Sequence, residues 1–290
     1  MRTSELRGSD CGIAQALGVL GDGWGFLILR EIAAGTTRFD AITKALGISR
    51  RALTETLASL QADGILQRRA YQEHPPRYEY DLTAMGRASL PVLLALQEWG
   101  DRFVAGDGTL TAHPTDAEAQ RTAALVGTKV PTLSLQGHDG ARYSLSEPGA
   151  WSVLFLFPGA FAPAEDGYPA GWSGIEGTAG CTVEATSYAE AEPALRAQGV
   201  RVFGISTQRS EQQARFAEHA GLNYPLLSDA DAELAVALRL PVFRVGGLER
   251  YKRVSLLVDD AGIIRAAQAP ITDPEGSIDE MLRTAEELMA

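Results

Sequence analysis

Apolar positions recur at helical spacing through the first part of the chain, at Ile13, Leu17, Leu20, Trp24, Leu27, Ile28 and Ile32, with Gly35 as a stop. The next run, TTRFDAITKALG, predicts a short helix ended by Gly47. ISRRALTETLASLQADG then begins with Ser49 as N-cap and sets Leu53, Leu57 and Leu60 on one side of a further helix. After Gly64 the period falls to two. ILQRRAY and RYEYDLT alternate as strands, separated by QEHPP, where Pro75 and Pro76 block further pairing. A last helix, roughly Arg87 to Val104, carries Leu90, Leu93, Leu94, Leu96 and Trp99 on an apolar face longer than a small domain requires. The expected product is helix, turn, helix and a β-hairpin wing.

Residues 105 to 127 are rich in Gly, Ala and Thr and read as a linker, with a short helix at Asp116 to Leu125. Beyond them strands and helices alternate. A strand pair is expected around Asp139 and Gly140, then the seven-residue apolar run Trp151 to Phe157, which suits a strand buried on both faces. A helix follows Cys181, with Pro193 a kink or restart. Then come VRVFGIS as a strand, a helix Ser210 to Ala220, YPLLSD, a helix Ala230 to Leu238, the pair RVSLLVDD and GIIRAAQ, and a terminal helix from Glu275. That alternation predicts an α/β sheet. At 290 residues two domains are expected, with 1–104 and 128–290 flanking the linker.

Charge separates the same two parts. Residues 1 to 104 hold 12 basic and 12 acidic side chains, and residues 105 to 290 hold 14 and 25, so the net charge of −11 belongs to the second part. Different partners are implied. No apolar run reaches the roughly 20 residues of a membrane span. The start, MRTSELRGSD, lacks the apolar core of a signal peptide, so a cytoplasmic location is expected. The four histidines stand far apart, and none pairs with a cysteine at ligand spacing, so neither a metal nor another cofactor is expected.

Two cysteines, Cys11 and Cys181, are too few for a disulfide scaffold. Cys181 lies in GTAGCTVEA, after an apolar strand and at the head of a helical pattern, where unpaired helix amides favour a thiolate. Free cysteine is also a common small core residue. On the first part, Ser49, Arg50 and Arg51 open the second helix of the pair, Arg38 opens the first, and Arg68, Arg69 and Arg77 line the wing. That placement suits duplex DNA, with phosphate and base contacts. A solvated charged surface is the alternative.

Residues 9 to 104, through Cys11, GDGW, RFDAI, ISRRALTETL, DGIL, PPRYEYDLT and QEW, resemble the HxlR-type winged-helix regulators within the MarR-like group. The resemblance implies a homodimer on double-stranded DNA, helix 49 to 63 in the major groove, and a redox-sensing cysteine, here Cys11. Residues 128 to 290 resemble peroxiredoxins, the thiol peroxidases on a thioredoxin-like fold. Pro158, Gly159, Ala160, Phe161 and Pro163 match their loop, and Gly171, Trp172, Gly180, Cys181 and Thr182 in GWSGIEGTAGCT resemble the Gly-Trp…Gly-Cys-Thr segment of a second group of peroxiredoxin-like proteins. Ala162 stands where that family has threonine, and 164 to 179 looks inserted. The resemblance implies Cys181 as the peroxide-reactive sulfur, Thr178 as the hydroxyl in place of the missing threonine, and Arg253 as the guanidinium. Arg250 and Lys252 are its alternatives. A sulfenic acid at Cys181 would need a thiol reductant, small or thioredoxin-like. Thr186 stands where some relatives have a resolving cysteine, which leaves an external thiol or Cys11 for that step. The expected protein is a redox-responsive regulator whose second domain senses or reduces peroxide. A peroxidase carrying a DNA-binding domain and a non-catalytic thioredoxin-fold module are the alternatives.

Overall fold

A computed structural model describes residues 6–21, 23–163 and 167–289, and resolves two compact units that divide between Leu93 and Leu94. Residues 164–166 of the expected insertion lie outside the described residues. Among the described residues no single helix is long and apolar enough to cross a membrane.

In the first unit the opening helical pattern is two helices, Gly12–Leu20 and Gly23–Ala33. Gly21, at φ 84 and ψ −159, ends the first in a positive-φ conformation that costs a glycine little. Helices Phe39–Leu46 and Arg50–Ala62 follow. Ser49 caps the latter by accepting from the Ala52 amide at 3.2 Å, and Leu53, Leu57 and Leu60 are buried beneath it. Strands β1 (Leu66–Gln72) and β2 (Arg77–Leu82) pair antiparallel as the hairpin wing. The expected closing helix is divided into a turn at Ala84–Arg87, the helix Leu90–Gly100 and a wider π-helical stretch at Asp101–Ala105.

The second unit is built on a seven-stranded sheet in the order β11-β10-β5-β6-β7-β3-β4. Its members are β3 (Ser134–Gly137), β4 (Arg142–Ser144), β5 (Trp151–Leu156), β6 (Val200–Ser206), β7 (Leu226–Ser228), β10 (Val254–Val258) and β11 (Ile264–Gln268). β5, β6 and β7 run parallel, and β10 runs antiparallel to β5. Between Ser152 and Leu156, β5 is buried on both faces, as its unbroken apolar run predicts. Helices Cys181–Ala197, Ser210–Ala220, Glu233–Leu238 and Gly276–Met289 belong to the same unit. Pro193 neither breaks nor restarts the first of these, which runs through it. A separate hairpin, β8 (Val242–Val245) with β9 (Leu248–Tyr251), turns at Gly246 and Gly247, both at positive φ. The sequence reading had passed over it, although a Gly-Gly between alternating segments is a hairpin signal.

The segment expected as a linker is not a free tether. Helix Asp116–Ala123 carries a full capping box, in which Thr115 accepts from the Glu118 amide while the Glu118 carboxylate accepts from the Thr115 amide. Glu118 also takes the ammonium of Lys252 at 2.7 Å, with both side chains buried. Leu110 and Ala112 pack into an apolar cluster with Phe161, Trp172, Ile175, Phe243 and Val245. Such burial places the segment inside the second unit, which is why the unit begins well before residue 128. Composition had concealed this, because small residues pack against aromatics as readily as they form tethers.

Candidate active site

The strand order sets the stage. β5 delivers the loop Phe157 to Ala160 at its carboxyl end, where ligands and chemistry of parallel α/β sheets usually lie. Helix Cys181–Ala197 starts in the same place with its first residue, Cys181, behind Gly180 at φ 93. Arg253 arrives from the edge of β10, immediately before Val254. Three separate segments therefore meet at one sulfur.

Cys181 is a free thiol, 3% exposed. The Arg253 Nη2 donates to its Sγ at 3.1 Å and to the Ala179 carbonyl at 2.6 Å. The other arm, Nη1, donates to Glu184 Oε2 in a pair buried at both ends. Glu184 stands three residues after Cys181, so one helix face presents sulfur and carboxylate to the same guanidinium. Burial pushes the Cys181 thiol above its usual value. The Arg253 charge and the Gly159 amide pull it back down, while Glu184 adds to the rise. Burial also raises the Glu184 carboxyl to about 7 against the pull of Arg253. Of the amides, hydroxyl and guanidinium expected to favour the thiolate, the Gly159 amide and Arg253 stand at the sulfur, and burial opposes them.

Thr178 needs a correction. Its hydroxyl donates to the carbonyls of Trp172 at 2.9 Å and Ile175 at 2.8 Å, so its proton is not offered to the sulfur. What Thr178 supplies is its own carbonyl, which accepts from Sγ at 3.5 Å. The hydroxyl instead folds the loop on which the cysteine stands. Arg253 sits where the sequence placed it, whereas its two alternatives have other tasks. Arg250 is buried with its guanidinium 5.8 Å from the Phe161 ring, and Lys252 is the partner of Glu118.

Gln208 completes the arrangement and was not foreseen. Its Oε1 accepts from the Ala160 amide at 3.0 Å and its Nε2 donates to the Ala160 carbonyl at 2.8 Å. This two-way clamp fixes the loop whose Gly159 amide faces the sulfur. Gly159 has φ 139, and a Cβ there would meet Gln208 at 3.0 Å, so a side chain at this position would strain the backbone and press on the clamp. Only the strand-end position of Gln208 hinted at such a role.

Above the sulfur lies a cavity of about 710 Å³ lined by Tyr168, Trp172, Ile175, Gly180, Cys181 and Val183. The described part of the expected insertion forms much of its wall. A second cavity, of about 470 Å³ near His138, Arg201 and Asn223, opens at the other ends of β6 and β7 and has no thiol in its lining.

In the first unit all six arginines singled out are exposed. Arg50 pairs with Asp40 at 2.7 Å, Arg51 with Glu55 at 2.9 Å, and Arg38 with Glu79 at 2.8 Å. Arg69 reaches Glu79 at 3.5 Å, Arg68 lies over the Tyr78 ring, and Arg77 stands at the start of β2. Surface pairs of this kind contribute little in water and exchange readily for phosphate. Cys11 is exposed at the N-terminus of helix Gly12–Leu20.

Together these features define a helix-turn-helix unit with a wing, and a thioredoxin-like α/β unit bearing a buried cysteine against an arginine. Comparison with known proteins agrees. The HxlR-like helix-turn-helix family matches residues 19–107, and the Redoxin family matches residues 125–282. The chain belongs to the Redoxin family and, through its first unit, to the HxlR-like helix-turn-helix family. An HTH-type transcriptional regulator of Methanothermobacter thermautotrophicus is 38% identical over 94 residues, which are 32% of this chain and 72% of that protein. One from Synechocystis is 42% identical over 98 residues, 33% of this chain and 73% of that protein. Among solved structures, peroxidoxin BcpB of Mycobacterium tuberculosis is 25% identical with a TM-score of 0.46, covering 56% of this chain and 96% of that one.

Proposed function

We propose that this protein is a redox-responsive transcription regulator, in which the first unit binds double-stranded DNA as a homodimer and Cys181 reduces or senses a peroxide. The observation that carries the redox half is the Arg253 guanidinium 3.1 Å from the Cys181 sulfur, in a closed site under an accessible cavity. A buried cysteine with only packing to do has no need of a desolvated arginine.

The chemistry follows from those groups. Cys181 loses its proton, and the thiolate attacks one oxygen of the peroxide, ROOH. The S–O bond forms as the O–O bond breaks, and the leaving alkoxide takes up a proton as ROH. Sulfur is thereby oxidised to sulfenic acid and the peroxide reduced. Arg253 and the Gly159 amide stabilise the thiolate before attack, and the same donors face the negative charge that moves to the departing oxygen. An external thiol then condenses with the sulfenic acid, releasing water, and a second thiol frees Cys181 as a mixed disulfide is exchanged. Cys181 is the one cysteine of its unit, which favours an external reductant, small or thioredoxin-like, over a resolving partner nearby.

For the DNA half, the exposed arginines on helix Arg50–Ala62 and on β1 and β2 supply cationic side chains for contacts to a duplex. The dimer is supported by large apolar side chains left open to solvent on the helices, with Ile13 74% exposed in one unit and Trp99 57% exposed in the other. Peroxide consumption with a thiol reductant, run on wild type and Cys181→Ser, tests the redox half. Equal turnover in the two proteins would remove Cys181 from the chemistry. Footprinting on the protein's own promoter region with and without oxidant tests the regulatory half, and an unchanged footprint would leave a peroxidase that is merely attached to DNA.

A further inference from the structure

Residues 108–124 fall between the two family matches, yet part of them pairs with and packs behind the loop that lines the Cys181 cavity. Thr111 pairs with Glu176 as an isolated parallel bridge, and the Ala112 amide donates to the Glu176 carbonyl at 2.8 Å. Ala112 is fully buried in the aromatic cluster that includes Trp172 and Ile175. The His113 ring lies against Gly177, where φ is 85 and an added Cβ would meet that ring at 3.0 Å. Glu176 is five residues before the reactive sulfur.

From that bridge the loop is tied at each step. The carbonyls of Trp172 and Ile175 take the Thr178 hydroxyl, the Ala179 carbonyl takes Arg253 at 2.6 Å, and the Thr178 carbonyl takes Sγ at 3.5 Å. The far end of the same segment holds the other side of the site, because Glu118 pairs at 2.7 Å with Lys252, the chain neighbour of Arg253. One short stretch thus fixes both the loop that carries the sulfur and the residue beside its guanidinium.

We infer that Thr111, Ala112 and His113 are positioning residues of the Cys181 site, and that they set sulfur reactivity by holding the loop 176–180 against Arg253. The inference rests on the reading of Cys181 as the redox sulfur. Releasing the bridge lets Ala179 and Cys181 drift from the guanidinium, and a displacement of about 1 Å at a reacting group is enough to cost up to a hundredfold in rate.

The test uses the full chain with Ala112→Pro, which lacks the donating N–H, beside Ala112→Gly, which keeps it. Alkylation of the Cys181 peptide is followed by mass spectrometry across pH, and peroxide oxidation of the same peptide is timed at neutral pH. Ala112→Pro is expected to move the alkylation midpoint to higher pH and to slow oxidation by about ten- to a hundredfold, with Ala112→Gly staying close to wild type. If the proline variant does not fold, Thr111→Val with His113→Ala removes the hydroxyl and the ring packing at partly exposed positions. A shift in the same direction, of about threefold or more, is then expected. A pH profile identical to wild type in the proline variant, or in the double variant where that replaces it, overturns the inference. So does equal loss in the proline and glycine variants, which would mean packing alone. A wild type that peroxide does not oxidise at Cys181, with the alkylation shift intact, defeats the proposed function and leaves the positioning role standing.

Discussion

Replacing Arg253 by methionine removes, among the described residues, the one full positive charge that faces the Cys181 sulfur. At 3.1 Å two unit charges in surroundings of effective dielectric near 20 attract by about 5 kcal/mol. Part of that attraction offsets the loss of solvation, and a hydrogen bond to a charged group is worth about 1.5–3 kcal/mol net. The thiolate should accordingly become about ten- to a hundredfold rarer at neutral pH, since 1.36 kcal/mol corresponds to one pKa unit. Burial already holds the thiol high, so the variant has no compensating donor beyond the Gly159 amide. Arg253→Met also strands the buried carboxylate of Glu184, and breaking a buried pair from one side costs about 3–5 kcal/mol. The double variant Arg253→Met with Glu184→Gln separates the two effects by removing the orphaned charge. Stopped-flow oxidation of Cys181 by peroxide, measured against pH, is the assay. The double variant should fold with a stability near wild type yet react about ten- to a hundredfold more slowly at pH 7. A double variant that keeps the wild-type pH profile would refute the assignment of Arg253 as the thiolate's partner.

Burial raises Asp229 to about 6, against the hydrogen bonds from Tyr251 and from the amides of Leu234 and Ala235. A carboxyl raised on folding contributes its stability below its unfolded pKa, near 4, and loses it as pH rises through 6. The stability difference between wild type and Asp229→Asn should therefore change by about 2 kcal/mol from pH 4 to pH 7, against the wild type at the higher pH. Urea unfolding at the two values measures it, and a pH-independent difference contradicts it. Loss of the Ser49 cap in Ser49→Ala should destabilise the first unit by about 1 kcal/mol, read as a lower unfolding midpoint. On DNA, Arg51→Ala should weaken binding across sequences and reduce the salt slope of log K by about 1 if Arg51 takes a phosphate. A change in base preference at unaltered slope would assign it to a base edge instead.

Long periodic stretches were legible in the sequence because burial alone dictates them. β5 has no polar face to misread, and Leu53, Leu57 and Leu60 lie where their spacing put them. Arg253 was named through the family resemblance rather than by its charge alone, since Arg250 and Lys252 stand beside it in the chain, and it is Arg253 that reaches the sulfur. What escaped depends on hydrogen bonds and packing that periodicity does not show, some of them local and some distant in sequence. Thr178 stands near the cysteine in the chain, yet the nearby carbonyls of Trp172 and Ile175 hold its hydroxyl. Glu184 is visible as a partner only once Arg253 is placed against the same helix face, although its spacing from Cys181 was a usable signal. Gln208 reaches the site from the end of β6, across 48 residues of chain from Ala160. The packing of the segment read as a linker was hidden for a related reason. Gly, Ala and Thr signal flexibility when nothing packs on them, and here Phe243 and Trp172 do.

The central claim is that peroxide is reduced at one particular sulfur. The most direct measurement is peptide mapping by mass spectrometry after one equivalent of peroxide, with a dione trap for sulfenic acid present from the start. The trap should be found on the peptide containing Cys181, with peroxide lost in equal amount and Cys11 unlabelled in the early phase. Peroxide left intact with Cys181 still a thiol, or label confined to Cys11, would contradict it.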